Sequence, residues 1–256
     1  MDLGLKGKTA LITGGSKGIG FGVAEVLVAE GVEVTIVARD QTGLDSAAAK
    51  LGGVQTISAD LSVQGSAEAL LDQAGVPDIL VNNAGAIPGG DIAAVDEATW
   101  RTAWDLKVFG YINMCRAGFA RMKDAGGGVI VNVTGLAADR TDFGYIAGTA
   151  GNASLNALTK ALGSQSVEDG VRVLAVSPGA TTTERLVNLL KGRAEAESGD
   201  ANNWQSYLGG LPQGRAAEVR EVADVVAFMA SPRASWISGV VINVDGGHGA
   251  RGSSFR

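Results

Sequence analysis

Three closely spaced glycines near the N-terminus are the residues best suited to ligand chemistry in this chain. Gly14, Gly18 and Gly20 follow an apolar run at residues 9–12, which predicts a buried strand, and a helical pattern comes next. Glycines let the backbone approach a ligand, and a helix N-terminus offers free N–H groups and a positive dipole. This combination predicts a pyrophosphate site for a dinucleotide, with a merely tight turn as the alternative. The same turn contains three further candidate contacts: Ser16, Lys17 and Ile19.

Polar or glycine-containing turns also end three later apolar runs. These runs, at residues 54–58, 79–81 and 171–176, predict further strands. The turns that follow them contain Asp60 and Leu61, then Asn82, Asn83, Ala84 and Gly85, then Ser177, Pro178 and Gly179. Parallel sheets bind ligands in the crevice at the carboxyl ends of their strands, so these turns are expected to share one edge.

The elements that must position these turns alternate along the whole chain. Short apolar runs lie at 9–12, 33–37, 54–58, 79–81, 129–133, 171–176 and 240–244. Amphipathic segments separate them, near 19–30, 42–50, 64–74, 98–122, 148–166 and 218–230. Seven strands and six helices in βα order predict an α/β fold with a doubly wound parallel sheet covered by helices on both faces. No composition shift marks a domain boundary within residues 1–256.

The order and spacing of the turns resemble the short-chain dehydrogenase/reductase family over roughly residues 5–249. The resemblance implies a single-domain Rossmann-type fold, an oxidoreductase and a nicotinamide cofactor. It also implies dimers that pair into tetramers through the helices at 98–122 and 148–166. It assigns Asp60 and Leu61 to the adenine, and Asn83, Ala84 and Gly85 to the adenosine ribose and the middle of the cofactor. The nicotinamide end falls to Pro178, Gly179, Thr181 and Thr183, with Asn152 at the nicotinamide ribose.

The catalytic residues of that family are not found at the corresponding positions. The segment at 155–162 matches the family's helix and sets the register, which puts the family's Tyr at Gly148 and its Lys at Asn152. The family's Ser then corresponds to Gly135 and its Asn to Lys107. No Tyr is followed four residues later by Lys anywhere in the sequence.

Three residues are candidates to replace the missing proton donor. Lys107 lies on a helix that borders the site in the resembled fold, and burial near a nicotinamide would lower its pKa toward neutrality. Its alternative is to face solvent or to pair with Asp105. Tyr145 would lie one helical turn before Gly148, with a core or lid role as the alternative. Thr134, beside the position of the missing Ser, offers a hydroxyl or simply ends a strand.

The end of the second predicted strand indicates which dinucleotide is bound. An acidic residue there would accept the ribose hydroxyls and repel a 2′-phosphate. Here Ala38 ends the strand, Arg39 follows, and Lys17 lies in the glycine turn. Because guanidinium and ammonium groups bind phosphate, NADP(H) is predicted in preference to NAD(H). The alternative is that Arg39 is a solvated loop charge.

Residues 184–214 interrupt the alternation and are predicted to form a lid over the substrate. The segment contains a possible helix at 184–197, a polar break and several large apolar residues. Either these residues line the site or they pack between surface helices. The apolar candidates are Leu186, Leu189, Leu190, Trp204, Tyr207 and Leu208. Gly148 and Gly151, three residues apart on one predicted helix, indicate a need for space, either for a bulky substrate or for the close approach of helices at a subunit interface.

Composition excludes several classes of partner and site. A formal net charge of −6 argues against nucleic acid or an anionic membrane as the main partner. Cys115 is the only cysteine, so no intrachain disulfide is possible, and no residues have metal-ligand spacing. No apolar run reaches membrane-spanning length, and a cytoplasmic location is expected. His248 is assigned to a surface or interface, and the tail at 249–256 to a loose or intersubunit position.

Three functions remain open at this point. The first is an NADP(H)-dependent oxidoreductase that acts on a small carbonyl or alcohol compound through a proton relay around Lys107 and Tyr145. The second is an inactive NADP(H)-binding sensor or scaffold. The third is a reaction that needs no phenol, such as the reduction of an already protonated imine.

Overall fold

The computed structural model describes residues 1–251, with the backbone only for Ala196, and a single parallel sheet forms its centre. Within this part of the chain the sheet has seven strands in the order β3-β2-β1-β4-β5-β6-β7. Their bounds are β1 (Thr9–Thr13), β2 (Glu33–Ala38), β3 (Gln55–Ser58), β4 (Ile79–Asn82), β5 (Gly128–Val133), β6 (Val171–Pro178) and β7 (Val241–Val244). The predicted fold class, a doubly wound Rossmann-type α/β domain, is confirmed. Residues 252–256 of the predicted tail lie outside the described residues.

Eight α-helices connect and cover the strands within the described residues. They are α1 (Gly18–Ala29), α2 (Gln41–Lys50), α3 (Ser66–Ala74), α4 (Glu97–Trp104), α5 (Gly110–Asp124), α6 (Ile146–Gly163), α7 (Glu184–Ser198) and α8 (Val219–Ala230). The single helix predicted at 98–122 is instead two helices, because a π-helix at Asp105–Phe109 joins α4 to α5. After α7, the remainder of the predicted lid contains two short 3₁₀ segments, Ala201–Leu208 and Pro212–Gly214.

Both faces of the sheet are buried at its central strands, which explains why β1, β4, β5 and β6 are largely apolar. Successive strand side chains point to opposite faces. Ile12 of β1 therefore packs in the cluster that includes α1 and α8. Its neighbour Leu11 packs with α3 and α5 on the other side. Helices on both faces of a parallel sheet are the expected solution for such strands.

The strand order reverses beside β1, and this reversal locates the ligand crevice. β1 pairs with β2 on one side and with β4 on the other, with Ile12 opposite Ile36 and Val81. The helices that follow β1 and β4 consequently leave in different directions, which opens a crevice at the carboxyl ends of these strands. In the part of the chain that the structure describes, no helix is both long enough and apolar enough to cross a bilayer.

Candidate functional site

A cleft of about 590 Å³ lies at the carboxyl ends of β1, β2, β4 and β5. The start of α7 closes one side of it. Its wall contains most of the residues predicted for the cofactor: Gly14, Ser16, Lys17, Gly18, Ile19, Arg39, Leu61, Asn83, Ala84, Gly85, Asn152 and Thr183. All three candidate proton donors, Lys107, Thr134 and Tyr145, belong to the same wall. Five predicted cofactor residues lie outside it: Gly20, Asp60, Pro178, Gly179 and Thr181.

The glycine turn after β1 is held open by the loop after β4. Gly14 has φ +65° and Gly18 has φ +59°, a region that non-glycine residues rarely adopt. A Cβ at Gly14 would come within 2.9 Å of the Ala84 Cα. The Asn83 amide donates to the backbone oxygens of Thr13 and Gly14 at 3.2 and 3.1 Å. The Asn83 side chain thereby fixes the turn from the neighbouring loop, and the glycines leave the space above the turn free for a ligand.

Gly20 supports this turn from behind rather than facing the cleft. A Cβ at Gly20 would overlap the carbonyl oxygen of Gly14. At the helix start, the N-cap Lys17 makes no side-chain capping bond. The first N–H groups of α1 therefore remain available to an anion. These features fit a pyrophosphate group.

The far end of the cleft is bounded by Ala38, Arg39 and Lys17. The side chain of Arg39 is 62% exposed, and its Nη1 lies 3.9 Å from Oδ2 of Asp60 at the rim. Burial alone would raise the pKa of the Asp60 carboxyl, but hydrogen bonds from Ser62 and the charge of Arg39 lower it overall. The neighbouring Asp40 carboxylate accepts from the Gly43 N–H and caps α2. The cations of Lys17 and Arg39 at this end suit a phosphate.

Lys107 is buried in the wall of the cleft. It lies in the π-helix, and its side chain is inside the protein, with the residue only 8% exposed. Its Nζ donates to the Tyr111 hydroxyl at 2.7 Å and to the Val133 carbonyl oxygen at 2.8 Å. The Tyr111 hydroxyl itself donates to the same carbonyl at 2.8 Å. The alternatives of a solvent-facing Lys107 or a pair with Asp105 do not describe this side chain.

Burial changes the acidity of Lys107. Desolvation disfavours the ammonium form and, with the positive charge of Arg185 as a second cause, lowers the pKa of Lys107 to about 7. The pKa of Tyr111 is raised well above its usual value by burial. The absence of a side chain at Gly85 leaves room for the lysine, since a Cβ on Gly85 would overlap the Lys107 Cδ. The group can therefore gain or lose a proton near neutral pH.

Tyr145 covers the position where the resemblance expects the family's Tyr. The residue is the N-cap of α6, with φ −138° and ψ 40°, rather than part of a continuing helix. A bridge between Gly90 and Tyr145 directs the chain here, with Gly90 donating to the Gly144 carbonyl at 2.7 Å. A Cβ on Gly148 would overlap the Tyr145 ring. Burial raises the pKa of the Tyr145 phenol, and Arg185 opposes the rise.

Two buried oxygen atoms in the wall lack hydrogen-bond partners within the described residues. They are Oγ1 of Thr134 and Oδ1 of Asn152. The Asn152 amide nitrogen donates to the Gly148 carbonyl at 2.9 Å, and Gly135 lies beside it. Unpaired buried polar atoms are costly unless a ligand or water satisfies them. Their position in the wall fits a polar ligand, such as the ribose of a nicotinamide nucleotide.

The segment after β6 supports the cleft from outside. The Gly179 N–H donates to the Val244 carbonyl at 3.0 Å, and the Thr181 hydroxyl donates to the Gly179 carbonyl at 3.1 Å. Of this predicted group, only Thr183 reaches the wall. A Cβ on Gly18 would lie 3.4 Å from the Thr183 Cγ2. Thr183 also caps α7 by accepting from the Leu186 N–H at 3.3 Å.

Arg185 is a cleft residue that the sequence reasoning missed. It lies in the first turn of α7, and its Nη2 donates to the Ile87 carbonyl at 2.6 Å. Its Nη1 lies 3.4 Å from the Gly85 carbonyl oxygen. A cation in the first turn opposes the helix dipole, which prefers anions there. An arginine at this unfavourable position inside a predicted lid is the sequence feature that could have indicated a functional role for Arg185.

The part of α7 that faces the cleft is polar. Its wall residues are Glu184, Arg185 and Asn188. Leu189 is exposed, and the Tyr207 hydroxyl donates to the Glu197 carboxylate at 2.7 Å, away from the wall. The six apolar residues proposed to line the lid are not in this wall. Packing between surface helices, the other interpretation of these residues, describes Tyr207 better.

His248 borders a separate cavity of about 130 Å³ beside Arg215 and Asp245. Burial and the charges of Arg140 and Arg251 lower the pKa of its imidazole. Across residues 1–251, no group of three or more His, Cys, Asp or Glu side chains is arranged to hold a metal ion.

Comparison with known proteins identifies relatives over almost the whole chain. A family model described as enoyl-(acyl carrier protein) reductase matches residues 14–249. L-xylulose reductase from Bos taurus is 34% identical over 251 residues, which cover 96% of this chain and 98% of that protein.

Two solved structures are equally extensive matches. L-sorbose reductase from Gluconobacter frateurii, complexed with NADPH and L-sorbose, has a TM-score of 0.88 and 30% identity over 96% of this chain and 98% of that one. A structure described as a short chain dehydrogenase/reductase family protein has a TM-score of 0.85 and 38% identity over 98% and 100% of the two chains. The protein described here is therefore a member of the short-chain dehydrogenase/reductase family.

Proposed function

We propose that the protein is an NADP(H)-dependent oxidoreductase that interconverts a small carbonyl compound and its alcohol. One observation carries the proposal: a lysine, Lys107, is buried in the wall of a cleft whose glycine turn suits a dinucleotide. This burial lowers the pKa of Lys107 to about 7. Relatives named as reductases of L-xylulose and L-sorbose support a polar carbonyl substrate.

The cofactor would lie along the cleft from Arg39 to Asn152. The glycine turn and the first N–H groups of α1 would hold its pyrophosphate. Arg39 and Lys17 would bind the 2′-phosphate. Thr134 and Asn152 offer their unpartnered oxygens at the opposite end. When bound, the cofactor supplies or accepts the hydride. A relative solved with NADPH supports the preference for the phosphorylated form.

Lys107 would move the proton. At neutral pH it exists in both protonation states, so it can donate a proton to the developing alkoxide or accept one from an alcohol. The Tyr111 hydroxyl and the Val133 carbonyl hold its Nζ in place. A fixed donor costs little reorganisation during the reaction.

Tyr145 and Thr134 would complete the proton relay. Tyr145 covers Gly148, so its ring takes the space that a side chain at Gly148 would need. The raised pKa of its phenol keeps Tyr145 protonated, as a hydrogen-bond donor. The hydroxyl of Thr134 has a free acceptor and donor for a substrate oxygen. In this proposal the chain departs from its family by replacing the Asn, Ser, Tyr and Lys positions with Lys107, Gly135, Gly148 and Asn152.

A second function, an NADP(H)-binding sensor without turnover, is favoured by one observation. The apolar face of Tyr145 fills the space above Gly148, where the family has a reactive group. Against it, Lys107, Thr134 and Asn152 make the wall polar. The two functions differ in turnover and agree in cofactor binding.

Two structural proposals accompany the function. Residues 184–214 act as the substrate lid, which is supported by the reach of Arg185 to the loop after β4. The chain assembles into a homo-oligomer, which is supported by the large exposed side chains of Phe109 and Trp236. Light scattering measures the assembly directly.

The test is consumption of NADPH and of NADH against a panel of ketoses, simple ketones, keto acids, aldehydes and cyclic imines. Turnover with NADPH supports the oxidoreductase, and turnover of imines alone indicates the reaction that needs no phenol. No turnover with tight NADPH binding supports the sensor.

Lys107→Ala is expected to lower turnover at least tenfold with little change in cofactor affinity, because the lysine contributes to the chemical step. Lys160→Ala, at an exposed position on α6 outside the cleft wall, is the control.

A further inference from the structure

Arg185 brings a second positive charge to the reactive end of the cleft. The side chain crosses from α7 to the loop after β4 and donates to the Ile87 carbonyl at 2.6 Å, with the Gly85 carbonyl 3.4 Å away. Gly85 packs directly against the stem of Lys107. Both cations therefore border the same part of the wall, and Tyr145 lies there too.

The protein supplies no counter-ion to either cation within residues 1–251. The hydrogen-bond partners of Lys107 are the Tyr111 hydroxyl and a backbone carbonyl. Those of Arg185 are backbone carbonyls, and its guanidinium also acts on the uncharged Tyr145 phenol. Glu184 is the carboxylate nearest in sequence, and it is exposed in the same wall without an ion pair to Arg185. The charge of Arg185 acts on Lys107 and helps to lower its pKa, and an anion bound to Arg185 would relieve this repulsion.

An anchoring role alone does not account for Arg185. The start of the loop that it contacts is already fixed, since the Thr13 hydroxyl accepts from the N–H groups of Asn83 and Ala84 at 2.9 and 3.1 Å. The position in the first turn of α7 is electrostatically unfavourable for a cation. A guanidinium has five N–H donors, so contacts to two carbonyls and to the Tyr145 phenol still leave donors for a ligand. Those donors have the planar spacing that suits a carboxylate.

We propose that Arg185 selects carbonyl substrates that carry a carboxylate, and that Lys107 faces the reacting carbonyl while Arg185 holds the acid group. This inference rests on the proposed oxidoreductase function and names its substrate class. The substrate is thus a keto acid, or the hydroxy acid formed from it, rather than a neutral ketone. Arg185 would act as a specificity residue that contacts the substrate without transferring the proton.

The test compares matched probes that differ only in charge. The probes are 2-oxobutanoate, 4-oxopentanoate and 5-oxohexanoate, each with its methyl ester. Three chain lengths are used in order to find the distance between the ketone and the carboxylate that the site accepts. For at least one pair, kcat/KM for the acid is expected to exceed that for the ester at least tenfold. Arg185→Gln should reduce this ratio at least tenfold, and Arg185→Lys, which keeps the charge, should retain part of it. Arg193→Gln is the control, because Arg193 lies on the same helix but pairs with Glu197 outside the wall.

A binding measurement separates this inference from the proposed function. Calorimetric titration of the same acids into NADP⁺-loaded protein is expected to show binding that Arg185→Gln weakens at least tenfold and Arg193→Gln leaves unchanged. If no carbonyl compound is turned over but this binding pattern is seen, the oxidoreductase fails and the anion site stands. An equal preference for acids and esters, or an acid preference and acid binding that survive in Arg185→Gln, would overturn the inference.

Discussion

The ring of Tyr145 covers the α-carbon of Gly148, so that any side chain at 148 would overlap Cε1 and Cζ of the phenol. A glycine inside a helix costs about 1 kcal/mol relative to alanine. The protein accepts this cost where the N-cap residue of α6 folds back over the first turn of its own helix.

Gly148→Ala is expected to destabilise the protein because the new methyl group displaces the Tyr145 ring. Overpacking of this kind costs about 1–3 kcal/mol, which exceeds the gain in helix propensity. Gly192→Ala, at an open position on α7, should instead stabilise by up to about 1 kcal/mol. Chemical denaturation gives both free energies of unfolding. In a Tyr145→Ala background, Gly148→Ala should become stabilising; if it remains equally harmful there, the ring is not the cause.

Lys107→Met is expected to raise the stability of the protein, by about 1–4 kcal/mol near pH 6, because it removes a buried charge. The Val133 carbonyl keeps its bond from the Tyr111 hydroxyl, and only the oxygen of that hydroxyl loses a donor. In the unfolded chain Lys107 holds its proton up to its ordinary pKa of 10.5, whereas in the folded protein it loses it near pH 7. Between these values the unfolded state binds more protons, so the wild type gains stability as the pH rises.

The stability difference between wild type and Lys107→Met should therefore shrink from pH 6 to pH 10. Denaturation curves across this range measure it, with Lys160→Met as the exposed control that stays within about 0.5 kcal/mol of the wild type. A difference that does not depend on pH would mean that the wild-type lysine is not titrating in this window.

The pH dependence of catalysis should follow the same group. Carbonyl reduction needs the protonated lysine, so kcat/KM for reduction should fall as the pH rises through about 7, and alcohol oxidation should show the opposite trend. Arg185→Gln removes a positive charge that lowers the pKa of Lys107, so both profiles should move to higher pH. Profiles of the Arg193→Gln protein should coincide with those of the wild type. A shift to lower pH would contradict the assignment.

Arg39→Gln is expected to weaken NADPH binding at least tenfold, about 1.4 kcal/mol, because a charged hydrogen bond to the 2′-phosphate is lost. NADH binding should change much less, since NADH carries no phosphate there. Quenching of tryptophan fluorescence gives both dissociation constants. Arg101→Gln serves as the control, because Arg101 is exposed on α4 and pairs with Glu97. Equal losses for NADPH and NADH would assign Arg39 to the adenine instead.

The half of the cleft that we propose binds the pyrophosphate could be predicted from sequence because its signals are local. Gly14 and Gly18 are needed for backbone conformations that only a few neighbouring residues determine, and the turn lies between a strand and a helix whose periodicities are clear. The alternation of strands and helices likewise predicted the sheet and its two covered faces. Local patterns suffice where the chain contacts its own near neighbours.

The reactive half could be predicted only in part because its contacts are distant in sequence. The burial of Lys107 depends on Gly85 and Val133, and no local pattern of apolar residues encodes it. Arg185 reaches Ile87 across almost a hundred residues. Tyr145 was expected inside a helix, but the bridge to Gly90 makes it the residue before the helix.

The π-helix between α4 and α5 sets the direction in which the side chain of Lys107 points. Each residue of an α-helix advances the direction of its side chain by about 100°. Removing one residue from Asp105–Phe109 would convert the wide turn to a regular one and rotate α4 against α5 by that angle. The aromatic residues of α4 and the lysine could then no longer both face their present partners. The single extra residue thus makes this connection intolerant of insertions and deletions, unlike a surface loop. To keep a lysine in this wall, the number of residues in the π-helix matters as much as the lysine itself.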